Sequence, residues 1–234
     1  MEQSPLGKAS PVKAFVFDLD GTLLDTLTDL AASVNHALQL HGLPPRSRAE
    51  VRRFLGNGVR NLMLQSVGGR LDEAEFEQAL NDFRTHYGQH CMDATQPFPG
   101  IMDLLEALHR RQIPMAIVSN KLQSAVTELN RRFFAQYITT AVGESETVRR
   151  KPRPDAVLKA LEEMGVQPAE AVYVGDSEVD WETARNAGTQ LTLVLWGLRD
   201  EAGLPRLPGP DLVCRAPTRP SPPHRGSKGR EVTH

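Results

Sequence analysis

Asp18-Leu19-Asp20-Gly21-Thr22 follows directly on the apolar run Ala14-Phe15-Val16-Phe17. Four consecutive apolar residues, two of them aromatic, read as a buried strand, and the glycine marks a turn. Side chains alternate along a strand, so Asp18 and Asp20 are expected on one face, with the backbone at Gly21 close to whatever they hold. Paired carboxylates suit a hard cation with oxygen ligands, typically Mg2+. Taken alone, the motif also reads as a surface turn or a helix N-cap, with Asp25 or Thr26 capping the helix that follows.

Two more apolar runs end in polar signatures. Ser119-Asn120-Lys121 follows residues 115–118, and Gly175-Asp176-Ser177-Glu178-Val179-Asp180 follows residues 171–174. Lys151, ahead of Pro152, lies in a loop before a helix and can swing a point charge toward the same place. In an open parallel sheet, residues just beyond the carboxyl ends of the strands gather in one crevice. Carboxylates brought together there repel one another unless a cation neutralises them, whereas Ser119, backbone N–H groups and Lys151 offer donors to an anion. A magnesium ion and a phosphoryl group fit that balance, and the organisation points to phosphoryl transfer.

The elements that must position these groups are legible in the apolar spacing. Leu27, Leu30, Ala31, Val34, Ala37 and Leu38 recur three and four apart, which predicts an amphipathic helix stopped by Gly42 and Pro44-Pro45. Ser47 and Glu50 form a candidate capping box for a short second helix. A third helix carries Val59, Leu62, Met63 and Val67, and a fourth, from about 72 to 90, turns Phe76, Leu80, Phe83 and Tyr87 inward. Beyond Gly100 helices and strands alternate, the signature of a doubly wound parallel sheet. Strands are expected at 115–118, 137–142, 171–174 and 191–195, with a last short one at 211–213.

The expected architecture is therefore α/β: a doubly wound, Rossmann-like parallel sheet over residues 13–24 and 93–203, with an all-helical cap at 25–92 placed to act as a lid. Residues 1–12 read as a flexible start, and the Pro- and Gly-rich stretch 204–234 as a disordered tail.

At 234 residues, 40% of them hydrophobic and 24% charged with net charge −2, the chain has the composition of a globular domain rather than a fibrous, membrane or nucleic-acid-binding protein. No apolar run reaches the roughly 20 residues that a membrane-spanning helix needs, and the polar start lacks a secretory pattern. The two cysteines, Cys91 and Cys214, imply neither a disulfide framework nor a zinc site, so a cytoplasmic location is expected. His86 and His90 beside Cys91 mimic metal-ligand spacing, but no complementary pair occurs elsewhere, and they read as helix-surface histidines.

Asp18-x-Asp20-Gly21-Thr22, Ser119-Asn120, Lys151-Pro152 and Gly175-Asp176-x-x-x-Asp180 resemble, in order, the four motifs of the haloacid dehalogenase-like hydrolases, over roughly residues 12–197. The resemblance implies Asp18 as the nucleophile that forms an aspartyl-phosphate, and Asp20 as the acid that protonates the leaving oxygen and then the base that deprotonates water. It implies phosphate binding by Thr22, Ser119, Asn120 and Lys151. It further implies Mg2+ held by Asp18, the Asp20 carbonyl and Asp176, with Asp180 in support. Asp20 argues against a dehalogenase, since the dehalogenating branch lacks a carboxylate two residues after the nucleophile.

The helical insert is similar to that of the phosphoglycolate phosphatase subgroup, whose cap presents a Gly-x-Gly loop to the active site. Gly56-Asn57-Gly58, followed by Arg60, occupies the corresponding place and is expected to contribute to specificity, although a simple inter-helix turn explains the glycines equally well. The resemblance thus implies a magnesium-dependent phosphatase of a small phosphorylated metabolite, 2-phosphoglycolate first. A monomer or homodimer without nucleic-acid or membrane partners is expected. Alternatives are a sugar-phosphate phosphatase, a pyrophosphatase, a phosphosugar mutase, or a non-catalytic phosphate-binding protein.

Overall fold

A computed structural model describes residues 11–55, 58–198 and 212–215. Its strands are β1 (Ala14–Phe17), β2 (Leu24–Asp25), β3 (Gln96–Pro97), β4 (Met115–Leu122), β5 (Thr140–Glu144), β6 (Ala171–Gly175), β7 (Gln190–Val194) and β8 (Leu212–Cys214). Its helices are α1 (Leu27–Leu40), α2 (Arg48–Phe54), α3 (Gly58–Val67), α4 (Glu73–His90), α5 (Ile101–Arg110), α6 (Gln123–Phe133), α7 (Asp155–Met164) and α8 (Glu178–Ala187).

Six strands form one parallel sheet in the order β5-β4-β1-β6-β7-β8. Alternation along β1 sends Ala14 and Val16 into the apolar layer beneath α7 and α8, and Phe15 and Phe17 into the layer beneath α5 and α6. Burial on both faces explains why these strands read as continuous apolar runs. β4 runs on to Leu122, through the Ser119-Asn120-Lys121 signature expected after its end, with a register shift against β5 between Val118 and Leu122. The strand expected at 137–142 forms instead at Thr140–Glu144, and the last strand lies at Leu212–Cys214 beside β7.

Helices α1 to α4 pack around their own core, which includes Val34, Leu38, Leu62, Phe76, Leu80 and Phe83. The predicted capping box closes α2: Ser47 Oγ accepts from Glu50 N, and the Glu50 carboxylate accepts from Ser47 N. The two chain crossings between this helical unit and the sheet pair antiparallel as β2 and β3. The buried Asp29 carboxylate in α1 accepts from the N–H groups of Ala94 and Thr95, at 2.9 and 2.8 Å, and so ties the first cap helix to the returning strand. Among the described residues no helix is long and apolar enough to cross a membrane. Residues 1–10 and 204–211 and the remainder of the expected tail from 216, like Gly56 and Asn57, lie outside the described residues.

Candidate active site

The sheet register brings the polar signatures together. Phe17 at the end of β1 stands opposite Ile117 of β4 and Val174 of β6, so the residues just beyond become neighbours. The Asp18 N–H donates to the Val174 carbonyl at 2.8 Å, which carries β1's ladder one step past the strand and seats Asp18 at the crevice floor. Asp20 lies beyond the strand, and it shares the cavity with Asp18 through the turn rather than through strand alternation.

Lys151 arrives from the loop between β5 and α7. Asn120 fixes its backbone: Lys151 N donates to Asn120 Oδ1 at 2.6 Å, and Asn120 Nδ2 donates to the Lys151 carbonyl at 3.2 Å. The ammonium then reaches Asp18 Oδ1 at 2.6 Å, Asp180 Oδ1 at 2.7 Å and the Tyr173 hydroxyl at 3.0 Å. Burial works against a charged lysine here, but Asp18 and then Asp180 outweigh it and hold the ammonium well above its ordinary pKa.

Asp180 is wholly buried. Its Oδ2 accepts from Asp176 N, Ser177 N and Ser177 Oγ, and its Oδ1 from Lys151 and Tyr173. Burial opposes its charge, yet Lys151 and these hydrogen bonds keep the carboxyl below its usual range. With five donors on two oxygens, Asp180 orients its neighbours and has little capacity left for another partner.

Asp18 is different. Burial pushes its carboxyl well above the ordinary range, Lys151 pulls it back, and the carboxylates of Asp180, Asp176 and Asp20 push it up again. One oxygen each from Asp18, Asp176 and Asp180 lie within 4.8 Å of one another. A dry set of hard oxygen donors with too little positive charge fits a small divalent cation such as Mg2+. The cradle is also shaped for close approach. Gly21, at φ +85°, leaves no room for a Cβ between Asp176 Oδ2 and Leu198, and Leu198 N donates to that same oxygen at 2.6 Å.

The cavity above these groups measures about 80 Å3. Its floor is Asp18, Asp20, Ser119, Asn120, Lys151 and Asp176, and its roof is the apolar cap surface of Leu30, Leu55, Val59 and Leu62. Arg52 of α2 fastens the cap over it, donating from Nε to the Leu198 carbonyl at 2.6 Å and from Nη2 to the Gly197 carbonyl at 3.0 Å.

Of the residues singled out from the sequence, Asp18, Asp20, Ser119, Asn120, Lys151 and Asp176 line this cavity, as does Gly58. Gly58 has φ +77°, and a Cβ there would meet the Arg150 guanidinium. Two expectations need correction. Arg60 does not line the cavity: it is exposed, hydrogen-bonded to Glu73 and Glu77, and lies over the Phe76 ring, because α4 offers it two carboxylates on the solvent side. Thr22 is fully buried behind the turn, its carbonyl accepting from Trp196 Nε1 at 3.1 Å, and it does not reach the cavity either.

The sequence named Lys121 within the Ser119-Asn120-Lys121 signature and Tyr87 on the inner face of its helix, but assigned neither a role at the site, although Lys121 also lines the cavity. Lys121 is buried, its ammonium 2.6 Å from the Tyr87 hydroxyl and 3.1 Å from Asp20 Oδ1. Burial disfavours its charge, but Asp20 and Tyr87 more than offset that and raise its pKa, while burial pushes the Tyr87 phenol up to about 12. The signal was present: a residue two positions after Ser119 on a strand shares its face, and a buried tyrosine needs a partner for its hydroxyl.

Known proteins agree with this geometry. The family model described as haloacid dehalogenase-like hydrolase matches residues 15–194. The chain is 32% identical over 211 residues to an N-acetylmuramic acid 6-phosphate phosphatase of Pseudomonas aeruginosa, covering 90% of this chain and 93% of that protein. It is 36% identical over 191 residues to a phosphoglycolate phosphatase of Aquifex aeolicus, covering 80% and 86%. A solved haloacid dehalogenase-like family protein of Streptococcus pneumoniae superposes with a TM-score of 0.78 at 26% identity, covering 88% of this chain and 95% of that one. With a family model spanning the cap and the sheet from β1 to β7, and the motif residues gathered at one crevice, this chain belongs to the haloacid dehalogenase-like hydrolases.

Proposed function

We propose that the chain is a magnesium-dependent phosphatase of a small phosphomonoester, with 2-phosphoglycolate as its leading substrate. The observation that carries this is the Asp18 carboxylate at the floor of a small roofed cavity, 2.6 Å from a buried lysine and flanked by Asp20 and Asp176. In this reading Asp18 attacks phosphorus as the ester bond breaks, and Asp20 gives a proton to the departing oxygen and later takes one from water. Lys151 and Ser119 hold phosphoryl oxygens, and Asn120 sets the direction from which Lys151 approaches. Asp18, Asp176 and the Asp20 carbonyl would hold Mg2+, which neutralises the phosphoryl oxygens and the crowded carboxylates. The two free thiols, Cys91 and Cys214, support a cytoplasmic setting.

The preference for 2-phosphoglycolate rests on the likeness to phosphoglycolate phosphatases such as that of Aquifex aeolicus, which aligns over 80% of the chain. A second reading, hydrolysis of N-acetylmuramic acid 6-phosphate, is favoured by the P. aeruginosa relative that aligns over 90% of the chain. Phosphate release from 2-phosphoglycolate, N-acetylmuramic acid 6-phosphate, simpler sugar phosphates, pyrophosphate and an aryl phosphate, with magnesium and with chelator, tests both. Magnesium-dependent preference for 2-phosphoglycolate is expected. Preference for the amino-sugar phosphate moves the assignment to the second reading, and silence on every compound overturns phosphatase activity.

A further inference from the structure

Asp20 is held from two sides. Thr26, at the junction of β2 and α1, donates its hydroxyl to Asp20 Oδ1 at 2.6 Å, and the Lys121 ammonium stands 3.1 Å from the same oxygen. Both partners converge on Oδ1, and no described group donates to Oδ2, so the carboxyl is fixed in rotation with Oδ2 left to exchange a proton. Lys121 is itself held from the cap. The Tyr87 hydroxyl lies 2.6 Å from its ammonium, which also stands 4.5 Å from the Tyr87 ring centroid. Tyr87 belongs to α4 and Lys121 to β4, so this contact crosses from cap to sheet.

We propose that Lys121 and Tyr87 are a positioning pair for Asp20, through which the seated cap aligns the group that protonates the leaving oxygen. The inference rests on the acid role assigned to Asp20 above. In that step the bond from Asp18 to phosphorus forms, the phosphorus–oxygen ester bond breaks, and the proton on Asp20 Oδ2 passes to the departing oxygen. Lys121 remains on Oδ1 throughout, where its charge stabilises the carboxylate that proton loss creates. A cap swung away removes Tyr87 from Lys121 and loosens Asp20. Protonation of the leaving group thereby becomes tied to a closed, water-poor cavity.

Leaving-group dependence separates this role from a merely structural one. A p-nitrophenolate departs without help, whereas an alkoxide needs its proton, so a misplaced acid slows alkyl phosphates selectively. The test measures kcat and KM of wild type, Asp20→Ala, Lys121→Met and Tyr87→Phe on 2-phosphoglycolate and p-nitrophenyl phosphate at saturating magnesium. Both esters give the same aspartyl-phosphate, whose hydrolysis also uses Asp20, so the split is read in kcat/KM, which reports the steps up to departure of the leaving group. Lys121→Met is expected to lower it on 2-phosphoglycolate about 10- to 100-fold and on p-nitrophenyl phosphate about threefold or less, with the same split, larger, in Asp20→Ala. Tyr87→Phe keeps the ring and the packing, and is expected to show the split at about 3- to 10-fold even if Lys121→Met does not fold. Equal losses on both esters in Lys121→Met or Tyr87→Phe, beside a clear split in Asp20→Ala, overturn the positioning pair. Absence of the split in Asp20→Ala overturns the acid role itself, and the inference with it.

Discussion

The Lys151 ammonium stands 2.6 Å from Asp18 Oδ1, joining two residues 133 positions apart, both shut away from solvent. Neither charge is stable alone at this depth. Removing one partner of a buried ion pair leaves the other uncompensated, at a cost of about 3–5 kcal/mol.

Lys151→Met is therefore expected to lower unfolding free energy by roughly that amount in chelator, and by less in magnesium, which supplies a substitute cation. Urea unfolding in the two buffers reads the difference. Wild-type stability in chelator would mean that the pair contributes nothing.

Asp18→Asn removes the nucleophile while keeping the shape and the hydrogen-bond acceptor. Turnover is expected to fall by about three orders of magnitude or more, as for other enzymes stripped of a nucleophile. Asp180, 2.7 Å from the Lys151 ammonium, still compensates the lysine, and burial with three neighbouring carboxylates disfavours charge at position 18 against the pull of Lys151, so the thermal midpoint is expected to change little. More than about 1% residual activity would contradict the assignment.

Gly21→Ala places a Cβ against Asp176 Oδ2 in a backbone conformation that L residues avoid. The conformational cost alone is about 1 kcal/mol, and displacement of the Asp176 carboxylate should weaken magnesium binding further. Calorimetric titration of magnesium is expected to show lower affinity than wild type. An unchanged titration curve would remove Asp176 from the metal site.

Arg52→Ala deletes two charge-assisted hydrogen bonds between α2 and the Gly197 and Leu198 carbonyls. Leu198 N in turn holds Asp176, so the loss should loosen both the roof and one wall of the metal cradle. A fall in kcat/KM of about 10- to 100-fold is expected, with the fold intact by circular dichroism.

His86 stacks between His36 and His90, with ring centroids 4.1 and 4.3 Å away, and its Nδ1 lies 3.0 Å from Ser33 Oγ. Burial, then His36 and His90, depress its pKa, while Asp93 opposes them weakly. The unfolded chain thus binds this proton more readily than the folded one. The folded state is at full advantage above the ordinary histidine value near 6.5 and loses stability as pH falls through the depressed value. Melting curves of wild type against His86→Gln between pH 7.5 and 5 should show the shallower acid loss in the variant, and parallel curves would exclude His86 as the cause.

Much of the architecture was legible because it is written in neighbouring residues. Apolar runs ending in polar residues located β1 and β6, spacing of three and four located the cap helices, and Ser47 with Glu50 announced the start of α2. The same local logic picked out Asp18, Asp20 and Asp176, since residues just past strand ends converge in a parallel sheet, whereas Ser119 lies inside the longer β4 and Lys151 in the loop after β5, and both still reach the cavity. Which partner each side chain meets is a different kind of information. Lys121 finds Tyr87 on α4 and Asp20 beyond β1, Arg60 turns to two glutamates instead of the cavity, and Thr22 disappears behind its own turn. A lysine or arginine can reach many carboxylates with similar local cost, and only the packing of cap on sheet decides which of them comes within hydrogen-bonding reach and which is screened by water.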